Sequence, residues 1–268
     1  MQKRIHSTFK AFNNLPVFDP ARWPYRETLA RIAALLVVSG YLLMKVSYFD
    51  PPPYALMDAK AHYMMLNHQH GIQLFNLTAI KILWLLRWGI WIAENAILVG
   101  YLLAYLTRIE AIGVAKGFSQ VALPFLVACL PMVMALAPVN VSGLFPMQSG
   151  FYVFYYAAVL GLILLGALIN LIGLLTMRQA FAIMSEARIL VTRGIFRYVR
   201  HPLYAGHFIM FFGSLGLRLH SYTIILYMCF VVGQIMRARI EEKKLGECFA
   251  EYAVYKKQTG MFFPRLSG

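Results

Sequence analysis

Residues 151–177 decide the class of fold: they read FYVFYYAAVLGLILLGALINLIGLLTM, 27 residues without a charged side chain. About 20 apolar residues are enough for a helix to cross the hydrocarbon core of a bilayer. The whole chain has a matching composition, because 60% of its residues are hydrophobic and only 13% are charged. A soluble domain with so few charges would not cover its surface, and disordered chains are polar. The sequence therefore predicts an all-α, polytopic membrane protein.

Further apolar segments on both sides of this stretch predict about six transmembrane helices. We place them at about 28–49, 88–107, 119–138, 151–176, 203–217 and 222–236. The apolar run from 72 to 107 is too long for one span and contains charged residues, so we expect an interfacial helix at about 72–86 before the second span. The tail from Arg237 alternates apolar and charged faces, which predicts a C-terminal amphipathic helix on the membrane surface.

The net charge of +14 is concentrated in three places: near the N-terminus, between Arg178 and Arg200, and after Arg237. Clusters of Lys and Arg beside apolar spans are typical of cytoplasmic loops that contact anionic lipids, so we expect no nucleic-acid partner. Six spans with both termini in the cytoplasm place all three clusters there. We expect an integral membrane protein, in the inner membrane if the source is a bacterium, with its polar site on the cytoplasmic side.

We expect no metal site in this chain. The three cysteines are far apart in the sequence, at Cys129, Cys229 and Cys248, without the spacing of a zinc site or a disulfide framework. The loop that contains His62, His68 and His70 offers few other ligands, and we interpret these residues as interfacial histidines.

Two polar segments near the C-terminus carry the candidate chemistry. Residues 190–206 read LVTRGIFRYVRHPLYAG, and residues 237–242 read RARIEE. Between them we predict a tight helical hairpin that turns at residues 218–221. The hairpin returns the second segment to the membrane face from which the first departs, so the basic, aromatic segment and the acidic pair are predicted to meet at one site.

The motif Arg200-His201-Pro202-Leu203-Tyr204, followed about 37 residues later by Glu241-Glu242, carries a resemblance. It resembles the isoprenylcysteine carboxyl methyltransferase and phospholipid methyltransferase superfamily of integral membrane enzymes. The resemblance covers roughly residues 160–265. We therefore divide the chain into an N-terminal membrane region, 1–110, outside the resemblance, and a methyltransferase core with a C-terminal cofactor pocket, 111–268.

This resemblance implies that the chain transfers a methyl group from S-adenosylmethionine to a lipidic or small thiol or carboxylate acceptor. It implies cofactor-binding roles for the residues of both motifs: Leu190, Val191, His201, Pro202, Leu203, Tyr204, Glu241 and Glu242. It implies that Arg237 or Arg239 faces the acceptor, and it makes Arg237 and Glu242 the candidate catalytic residues. The acceptor remains open among a prenylcysteine-like carboxylate, a phospholipid amine and a thiol.

Two other functions are compatible with the same pattern. One is a nicotinamide-dependent enzyme of the sterol-reductase type, which has a related Arg-His motif; Pro202, Tyr204 and the paired glutamates favour the methyltransferase. The other is a non-enzymatic membrane subunit or binding protein, in which the first 110 residues would dock a partner.

Overall fold

The computed structural model describes residues 77–137 and 150–265, together with positions 27, 28, 31, 32, 35, 36 and 39. Six α-helices can be bounded within this part of the chain: α1 (Leu77–Thr107), α2 (Phe118–Ala135), α3 (Gly150–Met177), α4 (Pro202–Leu217), α5 (Ser221–Cys248) and α6 (Tyr252–Gln258). The described residues contain no strand, only two isolated bridges, Gly113 with Ala187 and Val199 with Gly260. The all-α prediction is confirmed for these residues.

Three helical segments are long and apolar enough to cross a membrane: Lys81–Thr107, Phe154–Ala180 and Ser221–Cys248. Phe118–Met134 and Pro202–Leu217 are apolar but shorter. The segments predicted at 119–138, 151–176 and 203–217 coincide closely with α2, α3 and α4. These helices support an integral membrane protein, whereas the number of six spans stays a prediction, since most of the first one lies outside the described residues.

Two helices differ from the sequence prediction. Helix α1 is continuous from Leu77 to Thr107, so the separate interfacial helix at 72–86 is wrong over the described residues. Lys81, Arg87 and Glu94 made a break plausible, but charged side chains do not interrupt the backbone hydrogen bonds of a helix as proline does. Helix α5 likewise continues to Cys248, so no surface helix begins at Arg237.

The helices form two packed groups. Helix α3 lies between α1 and α4, and α2 packs along α5. Helices α3 and α4 approach closely because each has glycines seven residues apart, at 166 and 173 on α3 and at 206 and 213 on α4. A Cβ atom on Gly166 would lie 2.6 Å from the carbonyl oxygen of Gly206. Small residues of this kind allow close helix contact in membrane proteins, and here they fix the start of α4, which carries the candidate site.

The last part of α1 belongs to the same core as the site helices. Tyr101 and Tyr105 pack on Phe181 with ring centroids 5.0 and 5.7 Å apart, and Phe196 and Leu203 join the same buried cluster. Packing therefore does not separate α1 from the helices that follow it. The division of residues 1–110 from a core at 111–268 stays a prediction about sequence relationship.

Glu27 forms ion pairs with two buried arginines of the described structure. Glu27 Oε2 lies 2.7 Å from Arg108 Nε, and its Oε1 accepts from Arg188 Nη2 at 3.0 Å; Arg188 also pairs with Glu186 at 2.6 Å. The side chains of Arg188 and Glu186 are fully buried. Burial, followed by the nearby Arg188, lowers the pKa of Arg108, while Glu27 opposes that shift. The sequence alone does not predict this network, because nothing in the spacing of residues 27, 108 and 188 shows that they meet.

Candidate functional site at the helix ends

Helix α4 presents the first motif. Pro202 is the first residue of the helix, where its missing N–H and fixed φ are favourable. The chain before it pairs with the C-terminal tail: the N–H groups of Arg200 and His201 donate to the carbonyls of Gly260 and Met261 at 2.9 and 3.0 Å. This pairing places the His201 side chain at the base of α4, facing α5.

The two motifs meet, as the hairpin predicts. The turn is held by Thr223, whose hydroxyl donates to the carbonyl of Arg218 at 2.6 Å and accepts from the N–H of His220 at 3.0 Å. At the other end of the hairpin, His201 Nε2 lies 3.5 Å from Glu242 Oε1 and His201 Nδ1 lies 3.9 Å from Glu241 Oε2. The Tyr204 hydroxyl donates to Glu241. The structure thus brings His201, Tyr204, Glu241 and Glu242 together.

Glu242 is the centre of a group that we name the Glu242 cluster: Glu242, Arg200, Lys256 and His201. Arg200 Nε donates to Glu242 Oε1 at 2.7 Å, and Lys256 Nζ lies 2.7 Å from Oε2. The Arg200 and Glu242 side chains are at least nine-tenths buried. Arg200 also donates to the main-chain carbonyls of Lys256 and Thr259. The cluster therefore joins α4, α5 and the tail, and the charge of Glu242 is already satisfied.

Beside the Glu242 cluster lies a second group, which we name the Glu241 face: Glu241, Tyr204 and Arg237. Glu241 is less buried than Glu242, with 22% of its side chain exposed. Arg237 lies over the Tyr204 ring, with Cζ 5.2 Å from the centroid, and the Tyr204 ring stacks parallel to His201 at 5.3 Å. Aromatic faces of this kind attract cations. A partly exposed carboxylate beside stacked rings is therefore suited to a cationic ligand.

Arg237 is held by neutral acceptors rather than by the acidic pair. Its Nη1 donates to Gln234 Oε1 at 3.1 Å and its Nη2 donates to the carbonyl of Ile183 at 3.0 Å, whereas Glu241 Oε1 is 3.9 Å away. Its Nε is buried and has no hydrogen-bond partner among the described residues. Arg237 is thus held in place while its Nε–H remains able to bind a ligand. Arg239 lies exposed on α5 outside the site.

The remaining predicted residues have different surroundings. Leu203 is buried in the hydrophobic cluster with Phe196, so its side chain supports the fold. Val191 packs on the edge of the same cluster, and Leu190 is half-buried beside it in sequence. Among the described residues, the main chain of 189–192 makes no backbone–backbone hydrogen bond. That leaves N–H and C=O groups available there for a ligand.

The tail contributes residues that the sequence analysis did not place in the site. The predicted surface helix is replaced by the short α6, whose aromatic side chains face the protein: Tyr252 and Tyr255 are buried, and the Tyr255 hydroxyl donates to the carbonyl of Phe196 at 2.6 Å. Burial raises the pKa of Tyr255 to about 12, so its hydroxyl remains a donor. Phe262 reaches His201 with ring centroids 6.0 Å apart. Aromatic spacing in the tail was the available signal, but it does not distinguish protein from lipid as the buried partner.

No group of three or more His, Cys, Asp or Glu side chains suited to a metal ion occurs in the described part of the chain. His62, His68 and His70 lie outside it.

The fold and site define a helical, membrane-embedded protein whose polar site is formed by the ends of two apolar helices and a C-terminal tail.

Comparison with known proteins identifies this region. The model of the isoprenylcysteine carboxyl methyltransferase (ICMT) family matches residues 159–247, which confirms the resemblance over α3, α4 and α5. The chain is 37% identical over 79 residues to a protein-S-isoprenylcysteine O-methyltransferase of Saccharomyces cerevisiae, and 32% identical over 120 residues to that of Schizosaccharomyces pombe. These segments cover 28% and 42% of this chain, and 33% and 50% of the yeast proteins.

The chain is also 38% identical over 80 residues to the cobalt-zinc-cadmium resistance protein CzcN of Cupriavidus metallidurans, covering 29% of this chain and 37% of that protein. The matched segments span between a third and a half of these relatives. The likeness therefore concerns the site-bearing helices rather than the whole chain.

Proposed function

We propose that this protein is an integral membrane methyltransferase that transfers a methyl group from S-adenosylmethionine to the carboxylate of a prenylcysteine-like acceptor. The observation that carries the proposal is the Glu241 face, which lies within the family match and combines a partly exposed carboxylate, stacked aromatic rings and an arginine with an unpaired donor. These features suit a cationic ligand and an anionic ligand side by side.

The residues present fit S-adenosylmethionine. Glu241 is suited to hold its ammonium group, since Glu242 is already satisfied by Arg200 and Lys256. The parallel rings of His201 and Tyr204 are suited to its sulfonium, and His201 Nε2 is buried without a hydrogen-bond partner among the described residues. The free main chain of 189–192 is suited to its adenine edge. Arg237 is suited to the acceptor carboxylate.

The chemistry needs alignment more than acid–base catalysis. When bound, S-adenosylmethionine supplies the methyl group of a sulfonium: its S–CH₃ bond breaks as an O–CH₃ bond forms on the carboxylate, both charges disappear and no proton moves. Arg237 orients the carboxylate, and the apolar helices exclude water that would otherwise solvate it. Orientation and removal of water are the contributions that accelerate such a displacement.

An activity assay tests the proposal. The purified full-length chain, in lipid vesicles, is supplied with methyl-labelled S-adenosylmethionine and an S-prenylated cysteine that has a free carboxylate. We expect base-labile label in the lipid fraction, as a methyl ester gives, and none with the same compound supplied as its amide. Parallel reactions with a small thiol and with phosphatidylethanolamine test the other acceptors. Label only on an amine or a thiol would overturn the carboxylate assignment, and no transfer to any acceptor would overturn the enzyme.

The same proposal includes the orientation in the membrane. We propose six spans with both termini and the site in the cytoplasm, supported by the three clusters of Lys and Arg. Reporter fusions after residues 60, 112, 145, 185 and 260 should report outside, inside, outside, inside and inside. An outside signal at 185 would overturn the orientation, because that position lies beside the site.

A further inference from the structure

His207 is a half-buried polar group that the proposed function does not yet use. It lies on α4 one turn beyond Tyr204, and its ring stacks on that of Phe211, with centroids 5.8 Å apart and planes within 12°. Its Nδ1 is shielded from solvent and has no hydrogen-bond partner among the described residues. A buried imidazole nitrogen without a partner loses its hydration and gains nothing in return. Such a nitrogen in a candidate site indicates a ligand.

The second unpaired group on this side of the site is Arg237. Its Cζ lies 5.2 Å from the centroid of the Tyr204 ring, and His207 follows Tyr204 by one turn on α4, so the two side chains flank the same residue. Two nitrogens of the guanidinium are engaged by Gln234 and by the carbonyl of Ile183, and the third, Nε, is buried and unpaired within the described part of the structure. Helices α4 and α5 thus each bring one unsatisfied nitrogen to the region beside the Tyr204 ring.

We infer that His207 is a specificity-determining residue for the acceptor: its Nδ1–H binds one carboxylate oxygen while Arg237 Nε–H binds the other. The inference rests on the proposed function and adds a second recognition group to it. A second full positive charge beside Arg237 in apolar surroundings is unfavourable, so the imidazole acts as a neutral donor. A neutral donor orients the carboxylate but withdraws less negative charge from the attacking oxygen than a cationic donor would.

This arrangement selects among the three acceptor classes. A carboxylate has two oxygens that match two nitrogens, and one of them remains free to attack through its second lone pair. A phospholipid amine is positively charged near neutral pH and is repelled by Arg237. A thiol offers one sulfur, which is a weak hydrogen-bond acceptor. The paired nitrogens therefore favour a carboxylate over the other two.

Three substitutions of His207 separate this role from a structural one. His207→Phe keeps an aromatic ring to stack on Phe211 but removes Nδ1. His207→Asn places an amide nitrogen near the position of Nδ1, and His207→Gln places it near the position of Nε2. Phe212→Leu, on the exposed side of the same helix, is the matched control. The assay uses the full-length chain, an S-prenylated cysteine and methyl-labelled S-adenosylmethionine.

We expect His207→Phe and His207→Gln to raise KM for the prenylated cysteine about tenfold, the size of one lost hydrogen bond to a charged group. His207→Asn should stay within about threefold of the wild type, and Kd for S-adenosylmethionine should not change in any variant. Equal KM in wild type and His207→Phe, equal effects of Asn and Gln, or a parallel loss of cofactor affinity would each overturn the assignment. Failure of the wild type to methylate the carboxylate would instead refute the proposed function itself.

Discussion

Adjacent carboxylates on α5 belong to two regions that differ in how fully their charges are satisfied. In the Glu242 cluster, a buried carboxylate is surrounded by Arg200, Lys256 and His201 within 3.5 Å. On the Glu241 face, the carboxylate accepts one hydroxyl and is partly exposed, and the nearest arginine nitrogen is 3.9 Å away. Glu242 therefore holds three segments together, whereas the Glu241 carboxylate can still bind a ligand.

This difference revises the roles of the paired glutamates. The resemblance made both cofactor-binding candidates and made Glu242 a catalytic candidate as well. A carboxylate paired with both Arg200 and Lys256 has little remaining attraction for an ammonium, so we now propose Glu241 as the ligand group and Glu242 as a positioning residue. Glu242 acts through Arg200, which fixes the tail beside His201.

The largest expected effect tests the Glu242 cluster. Glu242→Gln leaves Arg200 buried without its counter-ion, and removing one partner of a buried pair costs about 3–5 kcal/mol. We expect a clear fall in Tm in detergent and faster proteolysis after residue 248, as the tail loses its attachment. Glu247→Gln, an exposed position on the same helix, is the control. An unchanged Tm for Glu242→Gln would show that the cluster does not hold the tail.

The next effect concerns the Glu241 face. Glu241→Gln retains an acceptor for the Tyr204 hydroxyl but removes the charge that we assign to the ammonium of S-adenosylmethionine. Losing a charge-assisted hydrogen bond costs about 1.5–3 kcal/mol, so Kd should rise about ten- to a hundredfold by calorimetry while Tm stays constant. The opposite pattern, a lower Tm with unchanged Kd, would reverse the roles of the two glutamates.

A smaller effect separates acceptor from cofactor recognition. Arg237→Lys keeps the charge but loses the planar group that bonds Gln234 and Ile183 at once, so kcat/KM for the acceptor should fall about tenfold with little change in cofactor Kd. Arg239→Lys, two residues further along α5 and exposed, should be silent. Equal losses in the two variants, or a loss of cofactor affinity in Arg237→Lys, would remove Arg237 from the acceptor site.

The smallest effect lies at the edge of the Glu242 cluster. The Lys256 side chain is 52% exposed although its Nζ is 2.7 Å from Glu242. Exposed ion pairs contribute about 0.2–1 kcal/mol, so Lys256→Ala should lower Tm far less than Arg200→Ala. Equal effects of the two substitutions would mean that the cluster depends on total charge rather than on the buried arginine.

The sequence predicted what depends on local pattern. The apolar runs located α2, α3 and α4, and the turn residues between α4 and α5 predicted the hairpin that brings His201 to Glu241. The sequence could not show which of the two glutamates has its charge neutralised by ion pairs. That depends on Lys256 and Arg200, whose spacing in the sequence is not distinctive. The sequence also placed the aromatic tail on the membrane, since the periodicity of Tyr252 and Tyr255 records that one face is buried but not what buries it.

For the same reason, the sequence could not predict contacts between residues that are far apart along the chain. Arg188 and Glu27 are 161 positions apart, and no periodicity connects them. His207 lies in an apolar helix where a single histidine carries no pattern at all. Only the arrangement of the helices places Arg237 over the ring of Tyr204, one turn before His207.

Calorimetric titration of the purified full-length chain with S-adenosylmethionine tests whether the site binds this cofactor. NADPH, titrated separately, represents the nicotinamide-dependent alternative. We expect saturable binding of S-adenosylmethionine at one site per chain and no heat from NADPH. A chain that unfolds cooperatively, and so is intact, but gives no heat with S-adenosylmethionine, or that binds NADPH instead, would contradict this expectation.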